Sequence, residues 1–120
     1  MGFRDVPLEL PTFAAEAAGA AEAPAARPQA ALHVATWNVW FDRFAMEARM
    51  GGMLRTVLSV APDALGLQEV TPRLADALRS SEAVRFLYDV SPNRIAQYGC
   101  LLLVRKSLRA QFSEVPLPTG

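Results

Sequence analysis

"PDALGLQEV", residues 62–70, begins as an apolar run and ends on Gln68 and Glu69, a carboxamide and a carboxylate where burial would be expected to continue. The apolar part is too short for a buried helix. It is bounded by Pro62–Asp63 before and Thr71–Pro72 after, so residues 63–68 are predicted to form a strand. In open α/β sheets ligands collect beyond the carboxyl ends of strands. The placing of Glu69 therefore raises the question of what else reaches the same rim.

Upstream, "LHVATWNVW" (residues 32–40) is rich in β-branched and aromatic side chains. A strand is predicted over 32–38, with Leu32, Val34, Thr36 and Asn38 on one face. The period then changes: Met46, Met50, Met53, Val57 and Ala61 recur at three- and four-residue spacing. That spacing predicts a helix over 43–60, with Asp42 as N-cap and Pro62 ending it. Gly51 and Gly52 each weaken this helix by roughly 1 kcal/mol relative to alanine, which points to tight packing there. Thr71 and Pro72 have the character of an N-cap and a first helical residue, giving a short second helix. Residues 85–90, 98–105 and 108–115 are predicted as three further strands. A strand, crossover helix and strand favour a parallel pair, and later strands with short connections favour antiparallel pairing. The fold class is α/β (α+β), a mixed sheet with flanking helices.

The chain of 120 residues has room for one domain. Residues 1–31 are expected to be an Ala/Pro-rich disordered tail or linker, because "AAEAAGAAEAPAARPQAA" offers no large apolar side chain to bury. A transient helix around residues 14–23 is the most that segment would form, since isolated short helices are marginal in water. Residues 32–120 carry the fold. Twelve basic residues balance twelve acidic ones, which excludes binding of nucleic acid or membrane by net charge, so any site must be local. A single cysteine, Cys100, makes neither an intrachain disulfide nor a cysteine metal site, and its place in "YGCLLLV" marks it as a buried strand residue. No secretory signal and no run of about 18 apolar residues is present, so no membrane partner and a cytoplasmic location are expected.

If the two first strands are parallel neighbours, the Asn38 amide and the Glu69 carboxylate project into one crevice. That pairing suits Mg²⁺, commonly held by one or two carboxylates while phosphate and water fill its other positions. Position alone favours a strand that merely ends at solvent.

The two segments together narrow the choice. "TWNVWFD" and, thirty-one residues from Asn38 to Glu69, "PDALGLQEV" resemble the first two signature blocks of the endonuclease/exonuclease/phosphatase superfamily, the deoxyribonuclease-I-like enzymes. Within it, tyrosyl-DNA phosphodiesterase-like members share the Thr-Trp-Asn block, an arginine thirteen residues before the Pro-Asp (Arg49 before Pro62) and the Gln-Glu strand end. "YGCLLLVRKSLRAQFSEVPLPTG" resembles the next strands of that family. The resemblance covers roughly residues 32–120 and implies an Mg-dependent phosphoester hydrolase of phosphodiesterase or nuclease type, with Mn²⁺ as the alternative ion. It implies Glu69 as metal ligand, Asn38 as a catalytic residue orienting metal and scissile phosphate, and Gln68 bracing the glutamate from behind. The substrate would be a phosphoester, nucleic acid among the candidates.

The likeness also implies what is missing. Hydrolysis needs a base or charge-stabilising group near the attacking water, which the family supplies from an Asp-x-Asn block and a closing Ser-Asp-His block. Neither occurs here. The one histidine, His33, reads as a partly buried strand residue. A family domain is about twice as long as residues 32–120 and packs two sheets in a four-layer α/β/β/α sandwich, so this chain is expected to be its amino-terminal half, inactive alone. A carboxy-terminal half or an oligomer partner would then cover the sheet.

Trp40 and Phe41 follow Asn38 in a predicted loop, where the rings either stack on a substrate group or pack against the Met46–Met53 face; packing is the expectation. Arg94, Arg105, Lys106 and Arg109 are expected to form an ordinary solvated strand edge. Two further readings stand beside the hydrolase: a non-catalytic α/β module that binds a partner or itself through the exposed sheet face, and an unrelated phosphate-binding module. The last lacks any glycine-rich phosphate loop.

Overall fold

The computed structural model describes Leu10 and residues 31–118. The expected tail, including the transient helix around residues 14–23, lies outside the described residues except for Leu10 and Ala31. In chain order the elements are β1 (Val34–Asn38), α1 (Met46–Val60), β2 (Ala64–Val70), α2 (Pro72–Ser80), α3 (Glu82–Leu87), β3 (Tyr88–Val90), β4 (Gly99–Arg105) and a 3₁₀ turn (Lys106–Leu108). The sheet order is β1-β2-β4-β3. β1 runs parallel to β2, and β4 runs antiparallel to both β2 and β3, so the sheet is mixed as expected.

The helix stripe is laid down by the spacing. Met50, Met53, Leu54, Val57 and Leu58 of α1 are buried, and each buried leucine-sized side chain contributes roughly 1.5–3 kcal/mol. The helix starts later than expected. Ala45 precedes it in the left-handed region (φ 48°) without a side-chain cap, while Asp42 Oδ1 accepts the Phe44 N–H at 2.8 Å and closes the turn before the helix. Ala61 ends α1, with its N–H on the Val57 carbonyl at 2.7 Å. Gly51 is buried, but a Cβ on Gly52 would meet nothing within 4 Å, so close packing accounts for only the first of the pair.

Thr71 caps α2 as expected, its hydroxyl accepting the Leu74 N–H at 3.3 Å with Pro72 behind it. Ser81 repeats this device for α3, accepting the Val84 N–H at 3.3 Å. The expected strand at 85–90 is therefore half helix: Ala83, Val84 and Leu87 bury at helical spacing, and only Tyr88–Val90 is strand. The expected strand at 108–115 does not form either. Both flanks of β4 are already paired, and the chain leaves the sheet through the 3₁₀ turn and Arg109 (φ 51°).

Helices cover one face of the sheet. Leu65 and Leu67 lie opposite Leu103 and Leu101 across the β2–β4 ladder, and all four are fully buried. The alternate positions look the other way: Gly66 faces Leu102, which is 49% exposed, and Val34 on β1 is 72% exposed. Cys100 shares the parity of Leu102 and is exposed, not buried, because nothing among the described helices covers that face. His33 is likewise exposed. Of the four basic residues assigned to a solvated edge, Arg105 is buried (6% exposed) opposite Tyr88, while Lys106 pairs with Asp89 at 3.0 Å. No helix among the described residues is long and apolar enough to cross a membrane.

Candidate metal and phosphate site at the β1 and β2 carboxyl ends

The parallel register sets Asn38 opposite Gln68. The ladder runs one step further, the Val39 N–H donating to the Gln68 carbonyl at 3.0 Å. There the chain turns. Asn38 Oδ1 accepts the Trp40 N–H at 2.9 Å, an Asx-type turn that holds Trp40 at φ 55°. The next N–H, that of Phe41, donates to Glu69 Oε2 at 3.3 Å. The polar ends of both strands thus sit on consecutive N–H groups of one turn.

Glu69 reaches this turn through a β-bulge. The β2–β4 register passes from Leu67–Leu101 to Val70–Gly99, so Gln68 and Glu69 together oppose Cys100, and Glu69 adopts φ 57°. Strict alternation would put Glu69 on the buried face with Leu65 and Leu67. The bulge turns it out of that face and returns Val70, fully buried, to the core. A left-handed conformation costs a non-glycine residue roughly 1–2 kcal/mol. Trp40, Ala45 and Glu69, three of the five such residues described, flank this one turn.

Gln68 bonds along the two strands. Its Nε2 donates to Thr36 Oγ1 at 2.9 Å and to the Gly66 carbonyl at 3.1 Å, which ties β1 to β2 at the residue pair two steps back from the rim. The residue that organises the turn is Arg49, on α1. Its guanidinium reaches the carbonyls of Phe44 (2.8 Å), Val39 (2.8 Å), Trp40 (3.0 Å) and Asp42. Its place thirteen residues before Pro62 marked it in the sequence, but nothing there showed which carbonyls it would hold.

The aromatic residues are not core. Trp40 is 48% exposed and lies under Arg49, whose guanidinium carbon is 4.6 Å from the ring centroid. Phe41, 49% exposed, stacks on Tyr98 at 5.0 Å with 12° between planes. The Asx turn and the Phe41–Glu69 hydrogen bond leave both rings half exposed at the surface, with Trp40 lining a groove beside Met50 and Met53. Asn38, Trp40, Arg49 and Gly52 line a groove of about 510 Å³ against α1; Glu69 does not line it.

Residues 35–119 match the model of the Endonuclease/Exonuclease/phosphatase family. The chain belongs to that family. Among solved structures, a humanized D. rerio TDP2 carrying 14 mutations matches at 27% identity and TM-score 0.57, over 63% of this chain and 30% of its own. A truncated Caenorhabditis elegans TDP2 matches at 31% identity and TM-score 0.54, over 62% of this chain and 30% of its own. Another structure of C. elegans TDP2 gives 28%, 0.55, 78% and 30% for the same quantities. The chain spans about 30% of the length of these relatives. Comparison with curated proteins gives no match.

For this member of the family, the donor set bears on a cation. Among the described residues no group of three or more His, Cys, Asp or Glu side chains could cage a metal. What the turn offers is one carboxylate with Oε2 held and Oε1 free of hydrogen bonds among the described residues, beside an Asn38 whose Nδ2 is also free of them. That set fits a hard cation that takes one or two carboxylates and completes its shell with water and phosphate.

Proposed function

We propose that the chain carries the metal-binding part of a phosphoester hydrolase site, of phosphodiesterase or nuclease type, with Mg²⁺ or Mn²⁺ as cofactor and DNA as the favoured substrate class. The consecutive N–H groups of Trp40 and Phe41, which hold Asn38 Oδ1 and Glu69 Oε2, carry this reading. Glu69 Oε1 is the ligand for the cation. Asn38, with its oxygen engaged in the turn, presents its Nδ2–H group to a phosphate oxygen. The cation, when bound, stabilises charge on the phosphate as water attacks. Gln68 keeps the two strands in register so that both side chains reach the same turn.

Neither the Asp-x-Asn nor the Ser-Asp-His block occurs in the sequence, and in this reading the base for the attacking water comes from outside the described residues. The His33 carbonyl accepts backbone hydrogen bonds from Asp63 and Ala64 at the amino end of β2, about 20 Å from Glu69 at roughly 3.3 Å per strand residue. The missing groups correspond to the Asp-x-Asn and Ser-Asp-His blocks, carried by a second sheet that would pack on the uncovered face bearing Val34 and Leu102. The exposure of that face also favours the second reading, a non-catalytic module that binds a partner there.

One experiment separates the two. Hydrolysis of bis(p-nitrophenyl) phosphate is followed with Mg²⁺, for the chain alone and mixed with the complementary carboxy-terminal part of a TDP2. No rate alone and a rate on mixing, abolished by Glu69→Ala, is expected. A stable complex with no rate would favour the binding module, and a rate indifferent to Glu69→Ala would remove Glu69 from the site.

A further inference from the structure

Arg49 carries a full positive charge at the rim of the candidate site, and an arginine so placed invites assignment to the phosphate. Its hydrogen bonds argue otherwise. A guanidinium has five N–H donors in a rigid fork. Nε is taken by the Phe44 carbonyl, one terminal nitrogen by the carbonyls of Val39 and Trp40, and the other by the Asp42 carbonyl and, at 3.9 Å, the Met46 sulfur. No donor remains for an anion, and the Trp40 ring lies against the guanidinium.

The carbonyls so held belong to one segment, residues 39–44, which runs from the end of β1 to the approach of α1. Within that segment Trp40 is left-handed, a conformation disfavoured for a bulky side chain, and Ala45 just beyond is left-handed too. Something must offset that strain. Among the described residues its other anchors are the Val39 N–H on the Gln68 carbonyl, Asn38 on the Trp40 N–H, Asp42 on the Phe44 N–H, the Arg43 carbonyl on the Met46 N–H and the Phe41–Tyr98 stack. Phe41, whose N–H holds Glu69 Oε2, lies between carbonyls that Arg49 grips on both sides, at Trp40 and Asp42.

We propose that Arg49 is a positioning residue: by gripping the carbonyls of Val39, Trp40, Asp42 and Phe44 it fixes the turn whose Phe41 N–H orients the Glu69 carboxylate toward a divalent cation. This rests on the proposed role of Glu69, and it deepens that role by naming what aims the carboxylate. A lysine would not replace Arg49, because a single ammonium with three donors cannot span four carbonyls arranged around a planar fork.

The test is a double-mutant cycle on the Phe41 amide in ¹H–¹⁵N spectra of the purified chain, joined to Mn²⁺ affinity by water-proton relaxation. In the parent chain, Glu69→Gln is expected to shift the Phe41 amide. In the Arg49→Ala and Arg49→Lys backgrounds the same change is expected to leave it unmoved, with β2 and β4 amides undisturbed. Mn²⁺ affinity is expected to fall about 10- to 100-fold in both Arg49 variants, the usual effect of removing a group that orients a ligand. An equal Phe41 shift in all backgrounds would overturn the proposal. So would loss of β2 and β4 dispersion in both Arg49 variants, which would assign Arg49 to the fold alone. Absence of Mn²⁺ binding by the parent chain would defeat the proposed metal role of Glu69, while the amide cycle would still decide whether Arg49 orients it.

Discussion

The backbone N–H of Phe41 donates to the carboxylate of Glu69 at 3.3 Å across twenty-eight residues of sequence. This contact joins the end of β1 to the bulge of β2, and both side chains assigned to the site depend on the turn it closes. The bulge is as necessary as the turn, since regular alternation would have carried Glu69 into the core with Leu67.

The one-sided sheet has a direct consequence for stability. Leu67→Ala, at a fully buried position between β1 and β4, is expected to cost about 2–5 kcal/mol, whereas Leu102→Ser on the open face should stay within about 0.5 kcal/mol. Urea denaturation of both variants measures the contrast. Similar costs for the two would mean that the second face is covered.

Ala45 holds φ 48° at an exposed position with no side-chain hydrogen bond. Ala45→Gly removes a left-handed penalty of roughly 1–2 kcal/mol and adds back part of it as unfolded-chain entropy, for a net gain of about 0.5–1 kcal/mol. A lower urea midpoint for the glycine variant would contradict the left-handed entry to α1.

Gln68 and Thr36 form a side-chain hydrogen bond at 2.9 Å between parallel neighbours. A double-mutant cycle with Gln68→Ala and Thr36→Val should give a coupling of about 1 kcal/mol in unfolding free energy. Mn²⁺ affinity should fall far less in Gln68→Ala than in Glu69→Ala. Equal losses would place the carboxamide against the carboxylate instead.

What could be read from residue order is what local chemistry decides. The stripe of α1 follows from Met50, Met53 and Val57, and the start of α2 from Thr71 and Pro72, because spacing and capping act within a few residues. Asn38 and Glu69 could be matched because two strand ends flank one crossover helix. Arg85–Leu87 misled because a short β-like run carries no length cue, and the cap that makes it helical, Ser81, sits outside the run. Cys100 misled because its exposure depends on which sheet face other elements cover. The role of Arg49 was illegible for a similar reason: its four carbonyl partners are brought together only when β1, the turn and α1 are all in place.

The most direct measurement is paramagnetic broadening of ¹H–¹⁵N resonances by Mn²⁺. Broadening is expected to centre on Asn38–Phe41 and Gln68–Val70, to compete with Mg²⁺, and to vanish in Glu69→Gln. Broadening centred instead on His33 and Asp63 at the opposite end of the strands, or unchanged by Glu69→Gln, would contradict a cation site at the shared turn.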